Sequence, residues 1–307
     1  MSNRIIITGA TGLIGKELAK ALFEKGYDIC VFGRNPESSK KILPFAKEHV
    51  KWQVDRIEDW RTYIDNSKAV INLAGANLAE KRWSESYKKE LINSRVNGTS
   101  VLAKAIIESL APPEVLISAS ASGYYGNSMD AIMDESKVPV GTTFLSDLCL
   151  KWENATKPAE SHTRLVFSRT GVVLSETGGA LEKMLTPYMF FIGGPLGSGQ
   201  QWMPWIHISD LIAMFIWVVE NPQIHGAVNF VAPQPVQMKE FSRIIAKVLH
   251  RPSLFRVPEF LLKIMLGESH VIVTQGNRLL PKAAQEQGFS FKYEDLETSL
   301  ENLLTRK

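Results

Sequence analysis

A chain of 307 residues, 45% of them hydrophobic, has ample material for a large buried core and is long enough for one or two domains. Its charge is nearly balanced, 35 basic against 32 acidic residues and a net +3, which argues against a protein that holds nucleic acid by neutralising phosphates. Two cysteines, Cys30 and Cys149, are too few for a disulfide framework, and they form no CxxC pair for zinc. They fit a reducing compartment. The longest apolar run, Leu211 to Val219, is nine residues, whereas a membrane span takes roughly 20. The N-terminal run Ile5-Ile6-Ile7 is broken at Thr8 and Gly9, too early for a signal peptide. A soluble, cytoplasmic protein with no metal, membrane or nucleic-acid partner is expected.

In chain order, short apolar runs alternate with longer helical patterns. Strands are expected at Arg4–Thr8, Asp28–Phe32, Val50–Val54, Ala69–Leu73, Val115–Ser118 and Thr163–Arg169. Helices are expected between them at Leu13–Lys25, Ser84–Leu110 and Thr142–Glu160. In the first helix, Leu18, Leu22 and Lys25 recur at helical spacing and Gly26 is the stop. Strand–helix alternation implies an α/β fold, a doubly wound parallel sheet of the Rossmann kind. After residue 170, Gly178-Gly179, Pro187, Gly193-Gly194-Pro195 and Pro204 read as loops beside the sheet. A helix is expected at Ser209–Glu220, a strand at Ala227–Val231, and further helices at Met238–His250, Glu259–Leu266 and Asp295–Leu304. This divides the chain into a dinucleotide-binding domain, 1–231, whose segment 171–205 contributes loops to the substrate side, and a small, mainly helical domain, 232–307.

The run Thr8-Gly9-Ala10-Thr11-Gly12-Leu13-Ile14-Gly15 follows a strand and opens a helix. Gly9 makes the tight turn, Gly12 lets backbone amides approach a pyrophosphate, and Gly15 lets helix and strand pack closely. Thr11, Leu13 and Ile14 complete a loop whose helix N-terminus faces the phosphates with unpaired N–H groups. An acidic residue at the end of the second strand would select NAD; here that strand ends Val31-Phe32-Gly33-Arg34. Arg34 can pair with a 2′-phosphate and Gly33 leaves room for it, so NADP(H) is the expected cofactor. Asp55 is placed at the end of the third strand, either accepting from an adenine amine or capping a helix. Asn72-Leu73-Ala74-Gly75 ends the fourth strand with small residues over the sheet edge, where ligands of such folds lie.

Taken with Ser120-Ala121-Ser122-Gly123-Tyr124-Tyr125-Gly126 and Trp205-Ile206-His207-Ile208-Ser209-Asp210-Leu211, these motifs make the chain resemble the extended short-chain dehydrogenase/reductases. That group includes nucleotide-sugar epimerases and dehydratases. Arg82-Trp83, Asn93-Ser94-Arg95-Val96, Gly193 to Gly199 and Met203-Pro204-Trp205-Ile206-His207 resemble an atypical, epimerase-like subgroup. Leu279-Leu280-Pro281 and Gly288-Phe289 resemble its C-terminal domain of unknown function. The resemblance implies Gly33 and Arg34 at the adenosine phosphate, Leu73 and Ala74 over the sheet edge, Glu90 and Arg95 on the helix after the fourth strand, and Val173 after the sixth. It also implies a monomer or a homodimer built on the helices after strands four and five. From the residues alone, Glu90 reads equally well as a solvated helix position.

Extended members work through a hydroxyl residue after strand five and a Tyr-x-x-x-Lys on the next helix. Aligned on Tyr125-Gly126 and Trp152-Glu153, the three positions hold Ala121, Leu145 and Cys149. A slip of one residue puts Ser120 or Ser122 in the hydroxyl role; nothing restores the Tyr–Lys pair. Tyrosine, with an ordinary pKa near 10, is a poor base without a cationic neighbour. Tyr124, Tyr125 and Ser122 are the candidate proton or hydrogen-bond donors, with Arg95 in place of the missing positive charge; aromatic packing is the competing role for the tyrosines. Cys149 is either a weak nucleophile or a buried apolar thiol. His207 and Asp210 are too few for a metal site and read as structural. Trp202, Met203, Pro204 and Trp205 are candidate walls of a small-molecule pocket. The chain reads as an NADP(H)-dependent oxidoreductase of the epimerase-like kind with an unidentified small-molecule substrate. The alternative is a protein that binds NADP(H) as a redox sensor without chemistry.

Overall fold

The computed structural model describes residues 3–138 and 143–305. The expected helix start at Thr142 and the outer limits of the two-domain division, residues 1 and 307, lie outside the described residues. The strands Arg4–Thr8 (β1), Asp28–Gly33 (β2), Glu48–Lys51 (β3), Ala69–Asn72 (β4) and Val115–Ala121 (β5) join Arg164–Thr170 and Gly226–Phe230 in one sheet. The seven strands pair in parallel, in the order Gly226–Phe230, Arg164–Thr170, β5, β4, β1, β2, β3. The chain runs outward from β1 in one direction, then returns to add β4 on the other side. The crevice beyond the carboxyl ends of β1 and β4 is the topological switch point, where such sheets hold ligands.

Alternation along each strand explains why both faces are covered. Ile5 and Ile7 enter the core under helices Leu13–Glu24 (α1) and Ile208–Glu220, whereas Ile6 faces the opposite layer. Ile29 and Val31 join the first core, Cys30 and Phe32 the second. A sheet apolar on both faces must be sandwiched, and its strands read as continuous apolar runs. Between the two termini of β2 and β3 lies a short helix, Pro36–Ile42 (α2), capped by Asn35 accepting from the Ser38 amide. The long helix Glu85–Ile107 (α3) is capped by Ser84 and covers the second face with Leu102, Ala103 and Ile106. Helix Phe144–Asn154 (α4) begins with a capping box between Thr143 and Ser146.

The segment expected as loop after residue 170 contains an eleven-residue helix, Gly179–Met189 (α5). Leu181, Met184, Leu185 and Tyr188 repeat at helical spacing and pack into a third core. Pro187 sits in the last turn, so the helix ends soon after instead of failing to form. Ile208–Glu220 is α6, followed by Met238–Leu249 (α7) and Glu259–Leu266 (α8). The third core joins Leu174, Leu181 and Trp205 to Phe241 and Ile245 of α7 and to Leu300 of the helix Leu296–Leu304. Ala284, far along the chain, enters the core of the main sheet instead. No helix among the described residues is long and apolar enough to cross a membrane.

Candidate functional site

The site is built by the loops that leave β1 and β4. Gly9 has φ +68, and a Cβ there would lie 2.9 Å from the Leu73 carbonyl. A Cβ on Gly15 would lie 2.4 Å from the Gly9 carbonyl oxygen. Both positions therefore require glycine: one for its left-handed backbone, the other for the close approach of helix to turn. Gly12 caps α1 with no side chain over the first-turn amides. The Thr8 hydroxyl binds the two loops together, donating to Asn72 Oδ1 at 2.7 Å and accepting from the Ala74 amide at 3.2 Å. Asn72 in turn donates to Thr99, which also accepts from the Trp152 indole. A buried polar relay thus fixes the turn against β4, α3 and α4.

The structure brings Gly9, Leu73, Ala74 and Gly75 together with Arg95. A Cβ on Gly75 would sit 3.1 Å from the Arg95 guanidinium carbon, so this arginine lies on bare backbone. Its guanidinium is 5.0 Å from the Trp152 ring, and Nη1 donates to the Leu91 carbonyl at 3.2 Å. Arg95 is only 8% exposed, and burial lowers its pKa. Among the described residues no carboxylate lies within ion-pair distance of it. Such a cation is costly to bury unless something anionic comes to it.

Gly33 and Arg34 close β2 at the same edge of the sheet. A Cβ on Gly33 would meet nothing within 4 Å, and Arg34 is exposed. Open space beside an exposed guanidinium is what a 2′-phosphate needs. Thr11, Leu13 and Ile14 follow Gly9 around the turn, with Leu13 Cδ2 2.9 Å from where a Gly179 Cβ would be; the start of α5 therefore lies over the loop. Val173 is half-buried in the strand Val172–Leu174, paired with Ile206. The third strand stops at Lys51, and Asp55 is an exposed turn residue beyond it. Glu90 is exposed on α3, 3.6 Å from Lys81. Glu90 and Arg95 are five positions apart, which turns them to different sides of the helix.

A chamber of about 240 Å³ opens next to Arg95, with Ala121, Ser122, Gly123, Leu145, Cys149 and Trp152 along one wall. Trp202, Met203 and Pro204 form part of the other wall, as expected; Trp205 is wholly buried and its indole donates to the Gln234 carbonyl. Ala121, Leu145 and Cys149, which the sequence alignment sets at the extended group's catalytic positions, all line this chamber. Burial pushes the Cys149 thiol up to about 12, and its Sγ lies 3.9 Å from the Ala121 carbonyl oxygen. It is a free, buried thiol in the chamber wall.

The surroundings of Tyr125 engage its hydroxyl on both sides. It is wholly buried and does not line the chamber. Its hydroxyl donates to Asn229 Oδ1 at 2.8 Å and accepts from Arg169 Nη1 at 3.0 Å. Burial pushes its pKa up to about 12, against the pull of Arg169. Tyr124 is held under the Arg169 guanidinium, 3.3 Å from its ring centre, and also lies outside the chamber lining. Ser120 donates to Glu153 at 2.7 Å. Ser122 alone of the candidates lines the chamber, and among the described residues its hydroxyl has no hydrogen-bond partner. We expect Tyr125→Phe to cost about 1–3 kcal/mol of stability by leaving buried partners unpaired, with NADPH affinity unchanged within twofold. Urea unfolding and a cofactor titration check this; a lost affinity with full stability would restore Tyr125 to the site.

The sequence pattern gave no sign of the network beneath. Glu153 accepts from Arg169 in a two-pronged pair, 2.9 Å on each side, with both side chains under a tenth exposed. Burial disfavours the Arg169 charge, but Glu153 outweighs it and raises its pKa. Asn277 donates from Nδ2 to the Ser122 and Gly126 carbonyls, at 3.1 and 3.0 Å, and so pins the Ser122 turn to the C-terminal segment. These residues lie 16 to 155 positions apart, beyond the reach of local periodicity. His207 and Asp210 have structural roles: His207 accepts from the Ser209 amide at the start of α6, and Asp210 accepts from the Lys292 and Tyr293 amides.

Comparison with known proteins places this geometry. Residues 5–230 match the NAD dependent epimerase/dehydratase family, and residues 257–303 match a domain of unknown function. The chain is 39% identical over 302 residues to the chloroplastic epimerase family protein SDR39U1 homolog of Arabidopsis thaliana, covering 98% of this chain and 86% of that one. It is 38% identical to epimerase family protein YfhF of Bacillus subtilis, over 98% of this chain and 97% of the relative. The crystal structure of human epimerase family protein SDR39U1 with NADPH superposes with a TM-score of 0.89 at 30% identity, covering 99% of this chain and all of that one.

Proposed function

The chain belongs to the NAD dependent epimerase/dehydratase family, and from that premise we propose that it is an NADP(H)-dependent oxidoreductase acting on a small carbonyl compound or alcohol without the family's Ser–Tyr–Lys set. The observation that carries this reading is Arg95: a buried cation with no carboxylate partner among the described residues, set between the β4 loop and an apolar chamber. The glycine turn, with its positive-φ Gly9 and close-packed Gly15, fits a dinucleotide, and Gly33 and Arg34 fit its 2′-phosphate. The NADPH held by the human relative supports the same choice. When bound, the cofactor supplies the hydride donor or acceptor.

The chain's own residues supply the rest. Arg95 holds a fixed positive charge in a site of low polarity, where it stabilises negative charge developing on a substrate oxygen more than water would. Ser122 offers a hydroxyl donor in the same chamber. Leu145, Cys149 and Trp152 keep water from the reacting atoms. Two free, buried thiols suit a reducing, cytoplasmic setting. A redox sensor is the second reading, favoured by the apolar Ala121, Leu145 and Cys149 in the catalytic positions.

Consumption of NADPH, followed with a panel of aldehydes and ketones, decides between them. Arg95→Met is expected to reduce turnover by about 100- to 1000-fold, the size of losing one oxyanion-stabilising donor. No turnover with any carbonyl, alongside tight NADPH binding, would leave the sensor reading standing.

A further inference from the structure

Beside the chamber runs a larger groove of about 700 Å³, within the range of small-molecule sites. Val172, Met184, Met238, Ile272 and Val273 line both spaces, so groove and chamber adjoin along an apolar wall. Two of these five are methionines, unbranched side chains that readily take up other rotamers. The groove's own walls are Tyr188, Leu196, Phe241, Ile245, Val257 and Leu266. The Tyr188 hydroxyl is already engaged with Ser242 deep in the core. The lining also carries five charged groups that nearly cancel: Glu80, Lys81, Arg82, Glu182 and Lys183. Of the cations, Lys81 faces Glu90 at 3.6 Å and Arg82 donates to the Ile264 carbonyl at 2.9 Å. Glu80 and Glu182 stand in the same lining as these cations and the start of α5, Gly179 and Ala180, and weaken its hold on a diphosphate.

The surroundings continue the same chemistry. Ile192 lines the groove and is 57% exposed; Phe190 and Phe191 just before it are also exposed. On the α8 side, Ile264 and Met265 are exposed next to Leu266 of the wall. The geometry points to a substrate with a long apolar body: its carbonyl or carbinol carbon sits in the chamber by Arg95 and Ser122, and its hydrocarbon part fills the groove. A nucleotide sugar does not fit that description. The inference rests on the oxidoreductase reading, and binding measurements separate the two.

In the presence of NADP+, a ketone binds without reacting, because both partners are already oxidised. The full-length protein is titrated by calorimetry with 2-butanone, 2-hexanone, 2-octanone, 2-decanone and UDP-glucose. Each added methylene is expected to tighten binding about fourfold if it enters an apolar groove. Ala79→Trp, at an exposed position of the lining, is expected to flatten that series while NADP+ affinity stays within twofold. Ile192→Asp, at the exposed edge of the groove, is expected to weaken 2-decanone most and serves should the first variant fold poorly. A flat series, UDP-glucose binding tighter than 2-decanone, or a slope unchanged in both variants would overturn the assignment. A clear slope that both variants abolish, without any NADPH consumption on these ketones, sustains the groove and overturns the oxidoreductase reading.

Discussion

Glu153→Ala is expected to cost about 3–5 kcal/mol of folding stability, more than any other single substitution named here. Glu153 is 6% exposed and Arg169 is 5% exposed, and they face each other through two hydrogen bonds of 2.9 Å. Removing the carboxylate leaves a guanidinium inside the protein with, among the described residues, only the Tyr125 hydroxyl and the aromatic faces of Tyr124 and Tyr125 beside it. Ser120 also loses its acceptor. The cost comes from stranding the second charge, not from the worth of the pair in itself. The double variant Glu153→Leu with Arg169→Met is therefore expected to recover most of the loss. Urea unfolding of the single and double variants tests this. A single-variant cost under about 1 kcal/mol, the scale of an exposed ion pair, would show that the site is not sealed.

That network also shows what the sequence leaves out of a catalytic reading of Tyr125. Tyr124-Tyr125 follows β5 at the place where the extended group puts functional side chains, and chain position alone marks the pair as candidates. Its fate is decided by partners distant in sequence: Arg169 from the neighbouring strand, Asn229 from the strand beyond it and Glu153 from α4. Nothing in local spacing announces that a buried ion pair will occupy the tyrosine hydroxyl. The glycine turn is the opposite case. Its signal is local, because a positive φ at Gly9 and a close approach at Gly15 demand particular residues at fixed spacing. The parallel sheet was legible for the same reason: Ile5-Ile6-Ile7 and Ala69-Val70-Ile71 are apolar on both faces, as only a sandwiched strand need be.

Helix α5 falls between these cases. Its apolar spacing was present in Leu181, Met184, Leu185 and Tyr188, but Gly178-Gly179 before it and Pro187 within it read as punctuation. The glycines lie at the N-terminus, where Gly179 has φ +81 and packs toward Leu13, and the proline lies in the final turn. Breakers at helix ends are boundary marks, not vetoes. Missing α5 also hid the groove, since Met184, Pro187 and Tyr188 belong to its lining. The groove was thus less legible than the glycine turn, because it is assembled from segments that meet only in the folded chain.

Arg34→Ala is expected to weaken NADPH binding roughly 10- to 100-fold, the worth of one or two charge-assisted hydrogen bonds to a phosphate, while moving NADH binding less than about threefold. On the proposed reading the adenosine end lies where β2 stops, and Gly33-Arg34 offers no carboxylate to accept from a ribose hydroxyl. Arg34 is exposed, so salt screens its attraction, and the ratio is best measured at low ionic strength. Gly33→Asp should act in the same direction through repulsion. Its new side chain enters open space, so it adds a negative charge beside the 2′-phosphate without a clash against the protein. NADH affinity should hold or rise in that variant, since a carboxylate there is the usual ribose acceptor. Equal affinities of the unaltered protein for NADPH and NADH, or equal losses of both in Arg34→Ala, would place the 2′-phosphate elsewhere and leave Arg34 a solvated surface charge.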